Sequence, residues 1–397
     1  METDSVVRER DWMNRTVCVT AAIAGVLSTI AGSASADVIY VDPGASGPPT
    51  GNSWNNAFRL LAIALAAAED GDEVWVASGR YVPPSIGWMV NAGASVYGGF
   101  TPGAMSRDDR DPTGTPTGLD ADTDGDDGPG FLNRSDNADR VLTIDADGGS
   151  FTLDGFVVRG CDGWAAVEVL AAESASIENC LFRENRRTEA LAPPETARIE
   201  AYGGAVRMVG TVAEAVFRGC VFERNRIENT EVDPANDLGS IGGGPGFASL
   251  ADRTLAEACV FRENETVAAA SVVGGGAFVL STTAEFRGCV FDENSCVPGG
   301  SGGGLYVSGP DFAPGQSATL IECEFMNNTV GGGTVVSTGG GARLSVLEAL
   351  VIGCDFLGNT CASDYTTPFN LGGGGGIGID SGESSQIVNC RVLGNDS

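Results

Sequence analysis

The chain has 397 residues and a formal net charge of −30; all 23 basic residues are arginine, and there is no histidine. Such a field disfavours a nucleic-acid partner and repels acidic polysaccharides unless Ca²⁺ bridges the carboxylates. The missing histidine removes the usual general base, the Ser-His-Asp and Cys-His arrangements and most zinc sites.

Met13-Asn14-Arg15, an apolar run over 17–30 and Ala34-Ser35-Ala36 have the three parts of a secretory signal. Cleavage is expected before Asp37, which makes 1–36 a leader and places the mature chain outside the cell, secreted or on the outer surface. The run is too short for a membrane anchor, so no transmembrane segment is expected after cleavage.

Residues 37–150 read as an N-terminal cap and first coils. Val38–Val41 is a predicted strand, Ser53-Trp54 is predicted to open a helix with Trp54, Phe58, Leu61, Leu65 and Ala68 on one face, and strands follow over 72–76 and 90–100. An amphipathic helix there would cover the apolar end of a stack. Within this region Asp120, Asp122, Asp124 and Asp126, with Gly125 between the last two, match the first half of a Ca²⁺ loop. Phe131 stands where that loop needs a bidentate Glu. Two readings stay open: a weak Ca²⁺ site, and an acidic surface loop.

Residues 151–397 carry a repeat. Cys-x-Phe-x-x-Asn or a close variant occurs seven times, from Cys180-Leu-Phe182-Arg-Glu-Asn185 to Cys390-Arg-Val392-Leu-Gly-Asn395, at steps of 40, 39, 30, 34, 31 and 36 residues. A period in that range means one supersecondary unit stacked on copies of itself. Three residues before most boxes is a large apolar residue (Ile177, Phe217, Phe286), and five before is a small one (Ala175, Ala215, Ala284). These share a strand face, but the step of three to the cysteine breaks the alternation and marks a corner. The expected fold is therefore all-β: a right-handed parallel β-helix with an N-terminal capping helix, lined by columns of Phe, Cys and Asn, with the closing Asn at a bend. The ladder cysteines are expected as stacked free thiols, with Cys161, Cys296 and Cys361 two residues past the closing turn of their coils.

Phe-x-x-Asn alternating with Gly-Gly-Ala and an apolar residue resembles the repeat pair of the chlamydial polymorphic outer-membrane proteins and of secreted bacterial β-helix proteins of the pectate-lyase-like superfamily. Here the second element stands as Gly203-Gly204-Ala205-Val206, Gly275-Gly276-Ala277-Phe278 and, degraded, Gly303-Gly304-Leu305-Tyr306 and Gly340-Gly341-Ala342-Arg343. The resemblance implies a secreted or surface-displayed protein for adhesion, or for binding carbohydrate or a cell-surface protein. The alternative is a carbohydrate-active enzyme of that superfamily, a polysaccharide lyase or glycoside hydrolase; no catalytic motif of such enzymes is recognisable. Outward carboxylates at Glu322, Glu324 and Asp355 are spaced like an ordinary solvated face, and the glycine runs lack the Lys-Ser/Thr of a phosphate loop. The variable loops at 186–201, 226–241 and 360–371 are the expected binding surface. The chain stops at Ser397 directly after the seventh box, so it is expected either to be truncated or to be covered there by another subunit.

Overall fold

Each box turns the chain twice at left-handed residues. The first is the residue before the cysteine: Asn179, Gly219, Ala258, Gly288, Glu322, Gly353 and Asn389 have φ between +48° and +63°. The second is the residue before the asparagine, from Glu184 at +55° to Gly394 at +64°. Between them lies a three-residue strand centred on the Phe, as in Leu181–Arg183, Val221–Glu223 and Val260–Arg262. The corner at the cysteine falls where the sequence puts it. The second bend comes one residue earlier than expected, because the closing Asn is needed inside.

The computed structural model describes residues 36–188, 203–229, 241–268, 272–297, 299–310, 315–331, 338–362 and 374–397. The expected leader, apart from residue 36, and most of the three variable loops lie outside the described residues. The described coils wind into a right-handed parallel β-helix with parallel sheets of 16, 10, 7 and 3 strands. Register is kept residue for residue: Phe182 pairs with Phe222, then Phe261, Phe291, Phe325 and Phe356. Their rings stack at 4.5 to 5.1 Å, within 8° of parallel. All six are fully buried.

The asparagines form the second column. Each Nδ2 from Asn185 to Asn359 donates to Oδ1 of the next asparagine at 2.9 to 3.0 Å. Its other hydrogen goes to the main-chain carbonyl of the preceding coil, as from Asn264 to Phe222 O at 2.8 Å. Every amide hydrogen is thus used, which is what allows a polar side chain at zero exposure. Cys161 stands at the foot of this ladder, its N–H donating to Asn185 Oδ1 at 3.2 Å. It therefore occupies the asparagine position itself, not a place two residues beyond the turn.

The ten described cysteines are free thiols, nine of them buried. Burial pushes Cys180 up to about 12 and Cys361 to about 11, so neither is a thiolate at neutral pH.

The glycine runs hold the next corner. A Cβ on Gly276 would sit 2.6 Å from Gly304 O and 3.2 Å from both Asn294 Cγ and a Phe291 ring carbon, so only glycine lets the coil pass the two ladders. One expected equivalence fails: Val206, not Ala205, pairs with Phe247 and through it with Ala277. The first Gly-Gly-Ala is shifted by one residue relative to the second.

At the amino end, Val38–Val41 is a strand as expected, followed by Glu73–Ala77, Trp88–Val90 and Ser95–Phe100. The helix is shorter than expected. It spans Leu61–Ala67, burying Leu61, Ala64 and Leu65 against the first coil. Ser53-Trp54 opens a turn instead, because Trp54 is held elsewhere: its ring packs edge-on to Tyr40 at 4.9 Å and its Nε1 donates to Ala104 O at 2.8 Å. The last coil exposes Ile387 and Val392 by more than half.

Candidate functional site

The 10-stranded sheet points three aliphatic side chains outward on successive coils, Val157, Leu181 and Val221, paired in register. They floor a groove of about 900 Å³ that runs across the strands from Gly155 to Arg262. Its wall is residues 107–116, which fold over the 10-stranded sheet as a tight hook. Asp109 Oδ2 accepts the N–H groups of Met105 and Ser106 at 2.8 and 2.9 Å, and Asp111 Oδ1 accepts that of Gly114 at 2.9 Å. These backbone bonds hold both carboxyls below the usual range.

Four arginines reach the groove: Arg107, Arg110, Arg183 and Arg262. Arg107 donates to Tyr97 Oη at 2.7 Å, and the guanidinium carbons of Arg107 and Arg110 lie 5.0 and 5.1 Å from the Tyr97 ring centre. Arg110 is ion-paired with buried Asp154. Arg262 Nε donates to Glu223 Oε2 at 2.8 Å, and Arg224 lies 3.3 Å from Glu223 Oε1. Contact with Glu223 holds Arg262 above its ordinary value. Asp154 and Glu223, nearly buried, are thus committed to arginines and do not offer a free acid or base. Arg183 stands on the floor between them, its side chain making no ion pair or hydrogen bond to any described residue and its Nε buried.

The acidic loop folds differently from a linear chain of ligands. Asp120 is buried, and its Oδ2 takes Arg80 Nε at 2.7 Å and Arg159 Nη2 at 2.6 Å. Asp122 accepts the N–H groups of Gly125, Asp126 and Asp127 at 2.7 to 3.3 Å. Asp124 is exposed, and its N–H donates to Asp136 Oδ2 at 2.8 Å. The oxygens that converge belong to Asp122, Asp126 and Asp136, one from each lying within 4.8 Å of the others. Those three could hold a hard cation; Asp136 was not foreseen, since only the folding back of the loop brings it near. Burial, ahead of the other causes, raises the neighbouring Asp127 carboxyl.

Beside the loop, Phe131 lines a recess of about 170 Å³. Its ring faces Arg134, Arg186 and Arg226 at 5.0 to 6.0 Å, but each of these already has an acidic neighbour. Of the carboxylates foreseen as outward, Glu324 and Asp355 do pair across coils, and Asp355 bonds Arg391, while Glu322 is a corner residue.

The groove was missed from sequence. Its trace was the residue after each buried Phe or its equivalent, Arg159, Arg183, Glu223, Arg262 and Asp292, where two arginines in succession interrupt an alternation of sign.

Among solved structures, pectate lyase Pel9A is similar at 13% identity and a TM-score of 0.44, over 91% of this chain and 79% of that one. The pectin methylesterase from Aspergillus niger in deglycosylated form is similar at 14% identity and a TM-score of 0.36, over 91% and 87%. No curated protein matches the chain. The family described as "Right handed beta helix region" matches residues 142–356, more than half of the sequence, and the chain belongs to that family.

Proposed function

We propose that this protein is a secreted or surface-displayed β-helix that binds an extended carbohydrate in the groove over Val157, Leu181 and Val221. The observation that carries the reading is the groove itself: an aliphatic floor crossing successive coils, rimmed by guanidinium donors. Apolar sugar faces and ring hydroxyls suit such a surface. A peptide adding as a strand does not, because Leu181 already pairs with a coil on each side and leaves no free edge.

Catalysis in the same groove is the second reading, favoured by Arg183 lying next to Glu223 on the following coil. The ion pairs of Glu223 and Asp154 speak for binding without turnover, since acid–base work needs a carboxyl free to exchange its proton. A glycan array, followed by calorimetry on the ligands it returns, tests the proposal. Binding is expected in wild type and lost in Val221→Arg, which fills the floor from an outward position. Unsaturated or reducing ends appearing during incubation would replace the binding reading by the enzymatic one; no binding to any glycan would sink both.

A further inference from the structure

Along the outward column of the 10-stranded sheet, Asp120, Arg159, Arg183, Glu223, Arg262 and Asp292 are register partners in that order. The charges on either side of Arg183 are spoken for. Arg159 bonds Asp120, and Glu223 is held by Arg262 and Arg224. Arg183 therefore sits opposite a like charge, a pairing that destabilises a sheet. Its Nε–H is buried, with no acceptor among the described residues. Both features work against the fold, and both occur on the floor of the groove.

We infer that Arg183 is an anion-recognition residue, and that the chain bound in the groove carries an oxyanion substituent, a carboxylate or a sulfate, that docks on it. The inference rests on the groove being the carbohydrate site. A guanidinium presents Nε–H and Nη–H as a planar fork, which matches two oxygens of one anion and supplies the buried donor with its acceptor. The other arginines of the groove are engaged: Arg107 by Tyr97, Arg110 by Asp154 and Arg262 by Glu223. One fork left free among the described residues selects one anion. The net charge of −30 repels a chain charged at every unit. The ligand class is thus a mostly neutral glycan with widely spaced acidic groups, not a homopolymer of acidic sugars.

The test uses the full chain on an array of oligosaccharides matched in backbone and length, each in neutral, singly carboxylated and singly sulfated form. Wild type is expected to prefer one acidic form over its neutral parent by about tenfold or more, the range of a charge-assisted bond. In Arg183→Gln the preference should shrink to about twofold while neutral binding stays, and Arg183→Lys should recover part of it. Raising the salt should weaken only the acidic preference. Because Arg159 loses its like-charged neighbour, the melting temperature of Arg183→Gln should hold or rise, which a purely structural arginine would not allow. The carboxylate and sulfate arms tell which oxyanion is read. Equal binding of neutral and acidic forms, or an acidic preference that survives Arg183→Gln, overturns the inference and leaves the groove intact. Absence of binding to every oligosaccharide overturns the groove reading and this one with it.

Discussion

Asn264 Oδ1 accepts both the side-chain Nδ2–H and the backbone N–H of Asn225, each at 3.0 Å. That double acceptance explains why the residue before each asparagine is driven into the left-handed region, even where it is Glu or Arg. The conformation costs about 1–2 kcal/mol for a residue with a Cβ, and the bonds it lets the asparagine make offset this. Asn264→Ala would orphan both Asn225 donors and remove one of the donors to Phe222 O and to Asn294 Oδ1, the latter keeping the backbone N–H of residue 264. At about 1–3 kcal/mol for each of the two buried unmet donors, a loss of at least about 2 kcal/mol is expected. Urea denaturation measures it, and Asn395→Ala, at a half-buried end of the ladder, should lose clearly less.

Phe261 lies between Phe222 at 5.0 Å and Phe291 at 4.5 Å, with Phe247 edge-on at 5.5 Å. No neighbour can move in without breaking its own stack, so Phe261→Ala leaves a cavity. The expected loss is about 3–5 kcal/mol, against about 1.5 kcal/mol for Phe261→Leu. Equal, small losses in both variants would mean that the column is not packed as described.

The thiol column predicts sensitivity to alkali. Cys180 titrates near 12 in the fold, and near about 8.5 in an unfolded chain. Between those values the unfolded state holds fewer protons, so stability is complete below the lower value and falls as pH rises towards the upper one. The slope per thiol is about 1.4 kcal/mol per pH unit. Cys180→Ala should therefore unfold at a lower denaturant concentration at pH 7 but show a flatter decline between pH 9 and about 11.

The same burial sorts the cysteines by reactivity. Cys390 is half-buried on the last described coil, and the other nine are buried. Brief alkylation of the native protein followed by mass spectrometry should mark Cys390 well ahead of Cys259 or Cys289. Uniform labelling would show that the coils open together instead.

What the sequence disclosed was whatever repeats from coil to coil. Phe, Cys and Asn recur at fixed offsets because each must stack on its own kind, so the winding and its repeating columns were legible. What it hid was made by single events. Helical spacing of apolar residues runs back to Trp54 because a turn can mimic it; only the contact with Tyr40 reveals that the indole belongs elsewhere. Cys161 looked like a stray thiol because the asparagine it replaces is absent from its coil. The groove joins a hook at 107–116 to coils up to Arg262, a juxtaposition that no local pattern encodes. Asp136 joins Asp122 only after the acidic loop doubles back.

Asp120 separates the structural carboxylate from those that could meet a cation. Its side chain is 3% exposed and holds Arg80 and Arg159 on neighbouring coils. Asp120→Asn keeps the size but leaves two guanidiniums around a neutral amide. Breaking a buried pair costs about 3–5 kcal/mol, and because both arginines are partly solvated, about 1–3 kcal/mol is expected here. That loss should be the same in EDTA as in millimolar Ca²⁺. Asp136→Asn keeps an oxygen able to accept the Asp124 N–H but removes a charge from the group it forms with Asp122 and Asp126. Any rise in melting temperature on adding Ca²⁺ should therefore survive Asp120→Asn and disappear in Asp136→Asn. The reverse result would restore the linear Asp120, Asp122, Asp124, Asp126 ligand set and remove Asp136 from it.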